Sequence, residues 1–391
     1  MLRFKNDDGS EFPEWEEHEI AELIQLYNEK VSSDCQLPIL TSSKKNGIEY
    51  QEEHFTGKQR HDIEGYNVLP RNYCTYRNRS DGTDFTFNIN KLCDKGIVSK
   101  FYPVFKEKDC DLFFLVSLLN NERKTVRKIA YTAKGTGQKV LSITDLRNIT
   151  VNMPSLPEQQ KIAEFLSTID TVIKKQKETV SVWEERKKGV MQKLFRQEVR
   201  FKADDGSNFP EWEEKKLSEM FKKVIEKNRL DLPPLTIVQG YGTIRRDESE
   251  RRIAYDEKGL KNYKAVQKDD FIVHLRSFEG GLEIANQDGI VSPAYHVYRG
   301  NDEVHPSFYY PYFRSSSFIK GKLSICVTGV RDGKNIEMGS FDELLIPHPC
   351  LAEQQKIADC LSSFDEVIEK QKATLAAWEE LKKGLLQQMF V

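Results

Sequence analysis

The chain contains itself twice. Residues 3–17, RFKNDDGSEFPEWEE, return at 200–214 as RFKADDGSNFPEWEE, with 13 of 15 positions identical. Residues 156–195 match 351–390 at 24 of 40 positions without a gap. The 391 residues are therefore a duplicated unit of about 195, and the fold is sought as one arrangement occurring twice. Between the matching blocks lie two segments, 18–152 and 215–348. They align poorly apart from islands such as DKGIVS (94–99) and QDGIVS (287–292). Matching frames imply shared partners and symmetry; divergent inserts imply that each half reads something different.

The second repeated block is patterned as a helix. Ile162, Leu166, Ile169, Ile173, Gln176, Val180, Trp183, Lys187, Val190 and Leu194 step alternately by four and three. This is the a/d spacing of a coiled-coil seam. The second copy gives Ile357, Leu361, Phe364, Ile368, Gln371, Leu375, Trp378, Lys382, Leu385 and Met389. Both polar breaks, the Gln and the Lys, recur at the same seam positions, where a polar residue gives up stability and fixes register. Helices over 158–195 and 353–390 would each span roughly 57 Å at about 1.5 Å per residue. With matching seams they are expected to pair antiparallel within the chain.

The inserts read as mixed α/β domains. Short β-type runs recur, ITVNM (149–153), FTFNI (85–89), DFIVHL (270–275), AYHVYR (294–299) and LLIPH (344–348), separated by Gly and Asn turns. One helix is expected in each, near DLFFLVSLLN (111–120) and SFYYPYFRSS (307–316), the latter interrupted by Pro311. The expected class is α+β: two globular mixed α/β domains joined by two long helices in an antiparallel intramolecular coiled coil, a pseudo-twofold repeat. The expected boundaries are 1–152 for the first domain with its frame 1–17, and 153–198 for the first helix. The second domain is placed at 199–348 with its frame 199–214, and the second helix at 349–391.

Lys plus Arg number 59 and Asp plus Glu 61, a net charge of −2, which excludes grip on nucleic acid by bulk charge. Local basic faces remain open, since they act within about one Debye length, roughly 10 Å. No apolar run of membrane-spanning length occurs, and seven cysteines without a CxxC pair suit reduced thiols in the cytoplasm. Catalytic motifs are missing as well. Ser292-Pro293-Ala294-Tyr295 breaks an amino-methylation motif of the Asn/Asp-Pro-Pro-Tyr/Phe type at its third residue, and no GxxxxGK[ST] phosphate loop occurs. No catalytic residue and no metal ligand is assigned; the chain is expected to recognise and to leave chemistry to partners.

Basic residues cluster in the inserts beside amides and aromatics. The first has Lys44-Lys45, Arg71-Asn72-Tyr73, Tyr76-Arg77-Asn78-Arg79 and Lys134-Gly135-Thr136-Gly137-Gln138-Lys139. The second has Arg245-Arg246, Arg251-Arg252, His274, Arg276-Ser277 and Arg331-Asp332-Gly333-Lys334-Asn335. Arg, Asn and Gln make bidentate contacts to guanine and adenine edges, while Lys and Arg also hold phosphates. The two Gly-containing loops, 134–138 and 331–335, precede their helix frames at equivalent places in the repeat.

LPEQQKIAEFLSTID and LAEQQKIADCLSSFD, with FPEWEE before each insert and WEE-x-KKG on each helix, resemble the specificity subunit of type I restriction–modification enzymes. The resemblance covers essentially the whole chain, in the order insert–helix–insert–helix. It implies two target recognition domains, 18–152 and 215–348, each reading half of a split double-stranded DNA site. It also implies that the helices fix the gap and dock two modification subunits, joined by up to two restriction subunits. S-adenosylmethionine, ATP and Mg²⁺ are then cofactors of those partners, with none expected in this chain. The loops at 134–138 and 331–335 become the first choice for DNA contact, followed by Arg71, Arg77, Arg79, Arg245, Arg246 and Arg276. A structural coiled-coil adaptor whose inserts bind proteins is the alternative; it leaves unexplained why two inserts rich in Arg, Asn and Gln diverged.

Overall fold

A computed structural model describes residues 2–54, 62–249, 257–274, 280–329 and 335–390. The chain divides into two compact units, Met1–Glu178 with Ala373–Val391, and Thr179–Lys372. Each unit holds one insert, one N-terminal frame and parts of both long helices.

In the first unit, β1 (Glu16–Glu19) passes through one helical turn, α1 (Ile20–Leu23), into β2 (Ile24–Tyr27). The hairpin β3 (Leu40–Ser43) and β4 (Gly47–Tyr50) follows, then a short turn α2 (Gln51–His54). Next come β5 (Asn67–Pro70), β6 (Cys74–Tyr76), β7 (Arg79–Ser80), β8 (Phe87–Ile89), β9 (Lys95–Val98) and β10 (Val104–Glu107). Helices α3 (Leu112–Asn121) and α4 (Arg123–Thr132), strand β11 (Lys139–Val140), turn α5 (Ile143–Arg147) and β12 (Thr150–Met153) complete the insert before the long helix α6 (Leu156–Phe195). The central antiparallel sheet has the order β2-β10-β6-β8, and the pair β1–β12 closes the insert on itself, Glu16 opposite Met153 and Glu19 opposite Thr150.

The second unit repeats this order. β13 (Glu213–Lys216), α7 (Leu217–Met220), β14 (Phe221–Val224) and the hairpin β15 (Leu235–Val238) with β16 (Gly242–Arg245) open it. β17 (Lys264–Val266), β18 (Phe271–His274), β19 (Glu283–Ile284), β20 (Gly289–Val291) and β21 (Tyr295–Gly300) follow. Helix α8 (Pro306–Phe313), strands β22 (Val327–Thr328) and β23 (Asn335–Ile336), turn α9 (Met338–Asp342), β24 (Leu345–His348) and the long helix α10 (Leu351–Met389) end it. Its central sheet is β14-β21-β18-β19 and its closing pair β13–β24, the same connections as in the first unit. Two inserts with little sequence in common thus share one fold. The island DKGIVS/QDGIVS has a packing cause: a Cβ on Gly96 would lie 2.4 Å from Leu40 Cδ1, and one on Gly289 would lie 2.4 Å from Leu235 Cγ. Each glycine lets strand β9 or β20 pass directly beneath its hairpin.

Helix α8 stops at Phe313, earlier than the expected stretch to 316. Pro306 sits in its first turn, where a missing N–H costs nothing, but Pro311 removes an interior donor. The chain continues as a π turn over Ser317–Lys322 and a 3₁₀ turn over Leu323–Cys326. The first unit has at this place a regular helix, α4, which the sequence reading did not assign.

The repeated frames act as clamps on the long helices. Arg3 donates to the fully buried Glu158 carboxylate through Nε and Nη2 at 3.2 and 3.0 Å. Arg200 does the same to Glu353 at 3.1 and 3.0 Å. Lys161 Nζ donates to the Lys5 carbonyl at 2.8 Å and pairs with Asp7 at 2.6 Å; Lys356 repeats both with Lys202 and Asp204. Gln159 Oε1 accepts the Asp111 N–H at 2.8 Å, and Gln354 Oε1 accepts that of His305 at 2.8 Å. Each Glu-Gln-Gln-Lys motif therefore ties the frame, the first insert helix and the long helix together. A buried carboxylate needs such partners, which is why the motif and the frame recur together.

The heptad positions face inward. Ile162, Leu166, Ile169, Ile173, Val180, Ile357, Leu361 and Ile368 are buried, and Gln176, Trp183, Phe364, Gln371, Leu375 and Trp378 are half-buried. In the first unit Asp170 pairs with Lys382 and Lys177 with Glu379 at 2.8 Å. In the second, Glu184 pairs with Lys372 at 3.0 Å and Lys187 with Asp365. Partner numbers fall as helix numbers rise, so the helix segments run antiparallel within each unit. The seam lysines are each neutralised by an aspartate of the opposite helix, and both ion pairs of one unit are the repeat equivalents of those in the other.

Candidate nucleic-acid interface

Strand β6 sorts the candidate residues of the first insert into two groups. Its antiparallel register with β8 sets Tyr76 opposite Phe87 and Cys74 opposite Ile89. The chain leaving Tyr76 therefore lies beside residues 81–86, and the chain entering Cys74 lies beside residues 90–94. Arg77 and Arg79 belong to the first end, Arg71 and Asn72 to the second.

At the Arg77 end several loops converge. Arg79 and Ser80 in β7 pair with Val140 and Lys139 in β11, which brings the 76–79 cluster against the 134–139 loop. Gln138 Nε2 donates to Asp81 at 3.1 Å, and Lys44, at the tip of the β3–β4 hairpin, pairs with Asp84 at 2.7 Å. Lys44, Lys45, Arg77, Arg79 and the loop 134–138 thus share one surface. The Arg79 guanidinium lies 3.9 Å above the Phe101 ring, which holds it in place. Arg77 and Lys45 are exposed and meet no acceptor among the described residues.

The loop 134–138 is built tightly. The Lys134 backbone exchanges both hydrogen bonds with Val140, at 2.9 and 2.7 Å. Gly135 has φ +125°, and a Cβ there would stand 2.2 Å from the Gln138 carbonyl oxygen, so only glycine fits. Thr136 and Gly137 form the exposed tip. Lys134 pairs with Asp145 at 2.8 Å; that bond, followed by the one from Ser142, holds the Asp145 carboxyl below its usual range.

Arg71 and Asn72 are not part of this surface. Arg71 donates to Asp94 at 2.8 Å and to the Lys91 carbonyl at 3.1 Å, and Asn72, at φ +64°, accepts from Lys91 at 2.8 Å. Both staple the 90–94 turn.

In the second insert, Arg245 is exposed at the end of β16 and paired with Asp247 at 3.0 Å, which raises the guanidinium's affinity for its proton. Arg246 turns inward, its guanidinium 5.6 Å over the Tyr263 ring. Asn335 is exposed in β23, on the hairpin equivalent to the 134–140 loop. Arg276, Arg331, Gly333 and Lys334, with Arg251 and Arg252, lie outside the described residues. Between the β15–β16 hairpin and the central sheet opens a cavity of about 720 Å³ whose walls include Gln239, Ile244, His274, Glu283 and Tyr295. Buried Glu283 accepts from the Gly240 N–H at 2.9 Å, from the Tyr310 hydroxyl at 3.0 Å and from Arg314. It is a structural acid with its bonds made.

Sequence reasoning passed over helix α4, whose exposed side carries Arg123, Lys124 and Arg127. A sharper signal was available in RKTVRKIAYT itself: apolar Val126, Ile129 and Ala130 recur at helical spacing, interleaved with the four cations Arg123, Lys124, Arg127 and Lys128. The assembled groups are cations, amides and hydroxyls suited to base edges and phosphates. Among the described residues no cluster of His, Cys, Asp and Glu is arranged to hold a metal, and no helix is long and apolar enough to cross a membrane.

Comparison with known proteins gives the same picture at three levels. The family described as "Type I restriction modification DNA specificity domain" matches residues 14–181 and again 210–377. The putative type I restriction enzyme MjaX specificity subunit of Methanocaldococcus jannaschii is 28% identical over 292 residues, 70% of this chain and 66% of the relative. The MjaVIII specificity subunit of the same organism is 28% identical over 323 residues, 75% of this chain and 73% of the relative. The chain thus spans just under two thirds of the first of these relatives. Among solved structures, the S subunit of a type I restriction–modification system from M. genitalium is similar with a TM-score of 0.54 at 14% identity, covering 100% of this chain and 98% of that one. A chain from a structure on complex assembly and conformational transition of the type I system gives a TM-score of 0.54 at 15% identity, covering 97% and 98%. At these identities the two structures support the fold.

Proposed function

The chain belongs to the type I restriction–modification DNA specificity family, and from that membership we propose that it is the non-catalytic subunit that chooses the DNA sequence on which such a complex acts. Each insert reads one half of a bipartite site, and because the inserts carry different surface residues the two halves differ. The observation that carries this reading is the pairing of one conserved insert fold, closed by equivalent strand pairs, with two unrelated sets of loop residues. A selected frame with freely varying loops is what a reader of changing sequences requires, since base contacts specify while backbone contacts position.

In this proposal the first insert reads through Lys44, Lys45, Arg77, Arg79 and the 134–138 loop, and the second through Arg245, Asn335 and their neighbours. The long helices set the unread gap and dock two modification subunits, which bind S-adenosylmethionine and methylate adenine. Restriction subunits, up to two, supply ATP- and Mg²⁺-dependent cleavage. The chain itself takes no cofactor and works on double-stranded DNA in the cytoplasm. The test is long-read methylation mapping in a methylation-free bacterial host that expresses this chain with its modification subunit. A single split motif, methylated on both strands, is the expected result. A soluble complex that leaves no new methylation would favour an adaptor and overturn the reading.

A further inference from the structure

Helix α4 holds four cations and no acid in ten residues. At about 100° per residue, Arg123, Lys124, Arg127, Lys128 and Tyr131 fall within one arc of about 140°, opposite the buried Thr125 and Ile129. Lys128 is committed: its ammonium donates to the Thr150 carbonyl and hydroxyl at 2.7 and 2.9 Å. Arg123, Lys124 and Arg127 meet no acceptor among the described residues, and Tyr131, in the middle of the arc, is 89% exposed. In a chain whose net charge is −2, an acid-free cationic face is a local choice and not a consequence of composition.

Two further observations say which anion it fits. The face runs into the candidate interface, because Ala133 caps α4 and the next residue, Lys134, starts the loop whose Val140 pairs with Arg79. At the other end Arg123 and Arg127, one turn apart, line an open groove of about 520 Å³ whose other wall carries Glu379, Lys382 and Lys383 of α10. Each of these three is already paired with an opposite charge, so the cations left to meet an anion there are those of α4. A line of donors leading away from base-reading loops suits a repeating polyanion. We propose that the exposed face of α4 is a phosphate track, gripping the backbone of duplex DNA beside the first insert's loops and fixing that insert's register without reading bases. The proposal rests on the DNA-reading function of the insert. Among the described residues the track belongs to the first unit alone: at the equivalent place the second has the Ser317–Lys322 turn, where Lys322 is held by Glu214 and the Leu345 carbonyl and Lys320 is the cation left.

The test uses the full chain in complex with its modification subunit, a duplex bearing the mapped motif and a scrambled duplex, with affinities measured over a fourfold range of salt. Arg123→Gln with Arg127→Gln should weaken both duplexes alike and leave the preference between them unchanged. Each lost phosphate contact lowers the slope of log K against log salt by about 0.9, so the slope should fall by about 1.8 and the loss should be about twelvefold larger at the low-salt end. Arg123→Lys with Arg127→Lys should keep the slope, which separates lost charge from a disturbed helix. An unchanged slope in the Gln variant overturns the track. Loss of the modification subunit with an intact slope overturns it in favour of a protein-docking face, and an altered motif overturns it in favour of base reading. A wild-type complex without preference for the motif would instead bring down the DNA-reading function, and the track with it.

Discussion

The residues that recur in both repeats are mostly the ones that hold frame and helix together, and the two copies differ in a way that yields a measurable asymmetry. Among the described residues, fully buried Glu158 receives only Arg3, whereas its counterpart Glu353 also accepts the Trp212 Nε1–H at 2.9 Å; Trp15 Nε1 has no partner among them. Removing one partner of a buried pair leaves an uncompensated charge, at about 3–5 kcal/mol when the burial is complete. Arg3→Met should therefore lower stability more than Arg200→Met, by about 1.5–3 kcal/mol, the worth of a hydrogen bond to a charged group. Thermal unfolding of the two full-length variants decides it, and equal losses would mean that the Trp212 bond contributes nothing. At this scale the sequence was partly legible. Arg77 and Arg79 sit on a converged surface with the 134–138 loop, but Arg71 and Asn72 serve a turn and Arg246 stacks inward. A side chain's type says what it is able to bond, while the register of β6 against β8 decides what it meets, and that register depends on pairings distant in sequence.

Elements with strong period were easy to place. The alternating four-three spacing marked both long helices, and their heptad positions are buried or half-buried throughout. The polar breaks gain a specific role from the pairing of Lys382 with Asp170 and of Lys187 with Asp365: a lysine on the seam is tolerated where the opposite helix offers an acid. Lys382→Asp sets two carboxylates together and should destabilise the first unit by about 1–2 kcal/mol, somewhat more than the usual worth of a partly exposed pair. Adding Asp170→Lys should recover most of the loss, read as the thermal midpoint. A double variant no better than the single would show that the pair does not set register. Helix α4 escaped notice because its apolar stripe, Val126, Ile129 and Ala130, is short and its charges resemble a solvated loop. Helix α8 was visible through its aromatics but mis-ended, since Pro311 weakens the turn in which the helix stops.

For the whole molecule the repeat was the most informative feature: it predicted one arrangement occurring twice, and the divergent inserts do share a fold, but it could not give the strand order they share. The shared fold depends on sheet pairings that tolerate almost any side chain, plus a few fixed points such as Gly96 and Gly289 under their hairpins. Each insert enters and leaves its frame through an antiparallel pair, β1 with β12 and β13 with β24. Each also docks its first helix on the same amide, through the Asp111 or the His305 N–H on Gln159 or Gln354. The inserts are therefore interchangeable at their borders. Replacing 18–152 by a second copy of 215–347 keeps both closing pairs and both amide sockets, so the chimaera should fold and join the same modification subunit. If each insert reads its own half-site, the methylated motif should become symmetric, with the second half-site on both sides and the first one gone. Methylation mapping of the chimaera gives the answer directly. Persistence of the first half-site would place its reading in the frame or the helices, because no residue of the first insert would remain to do it.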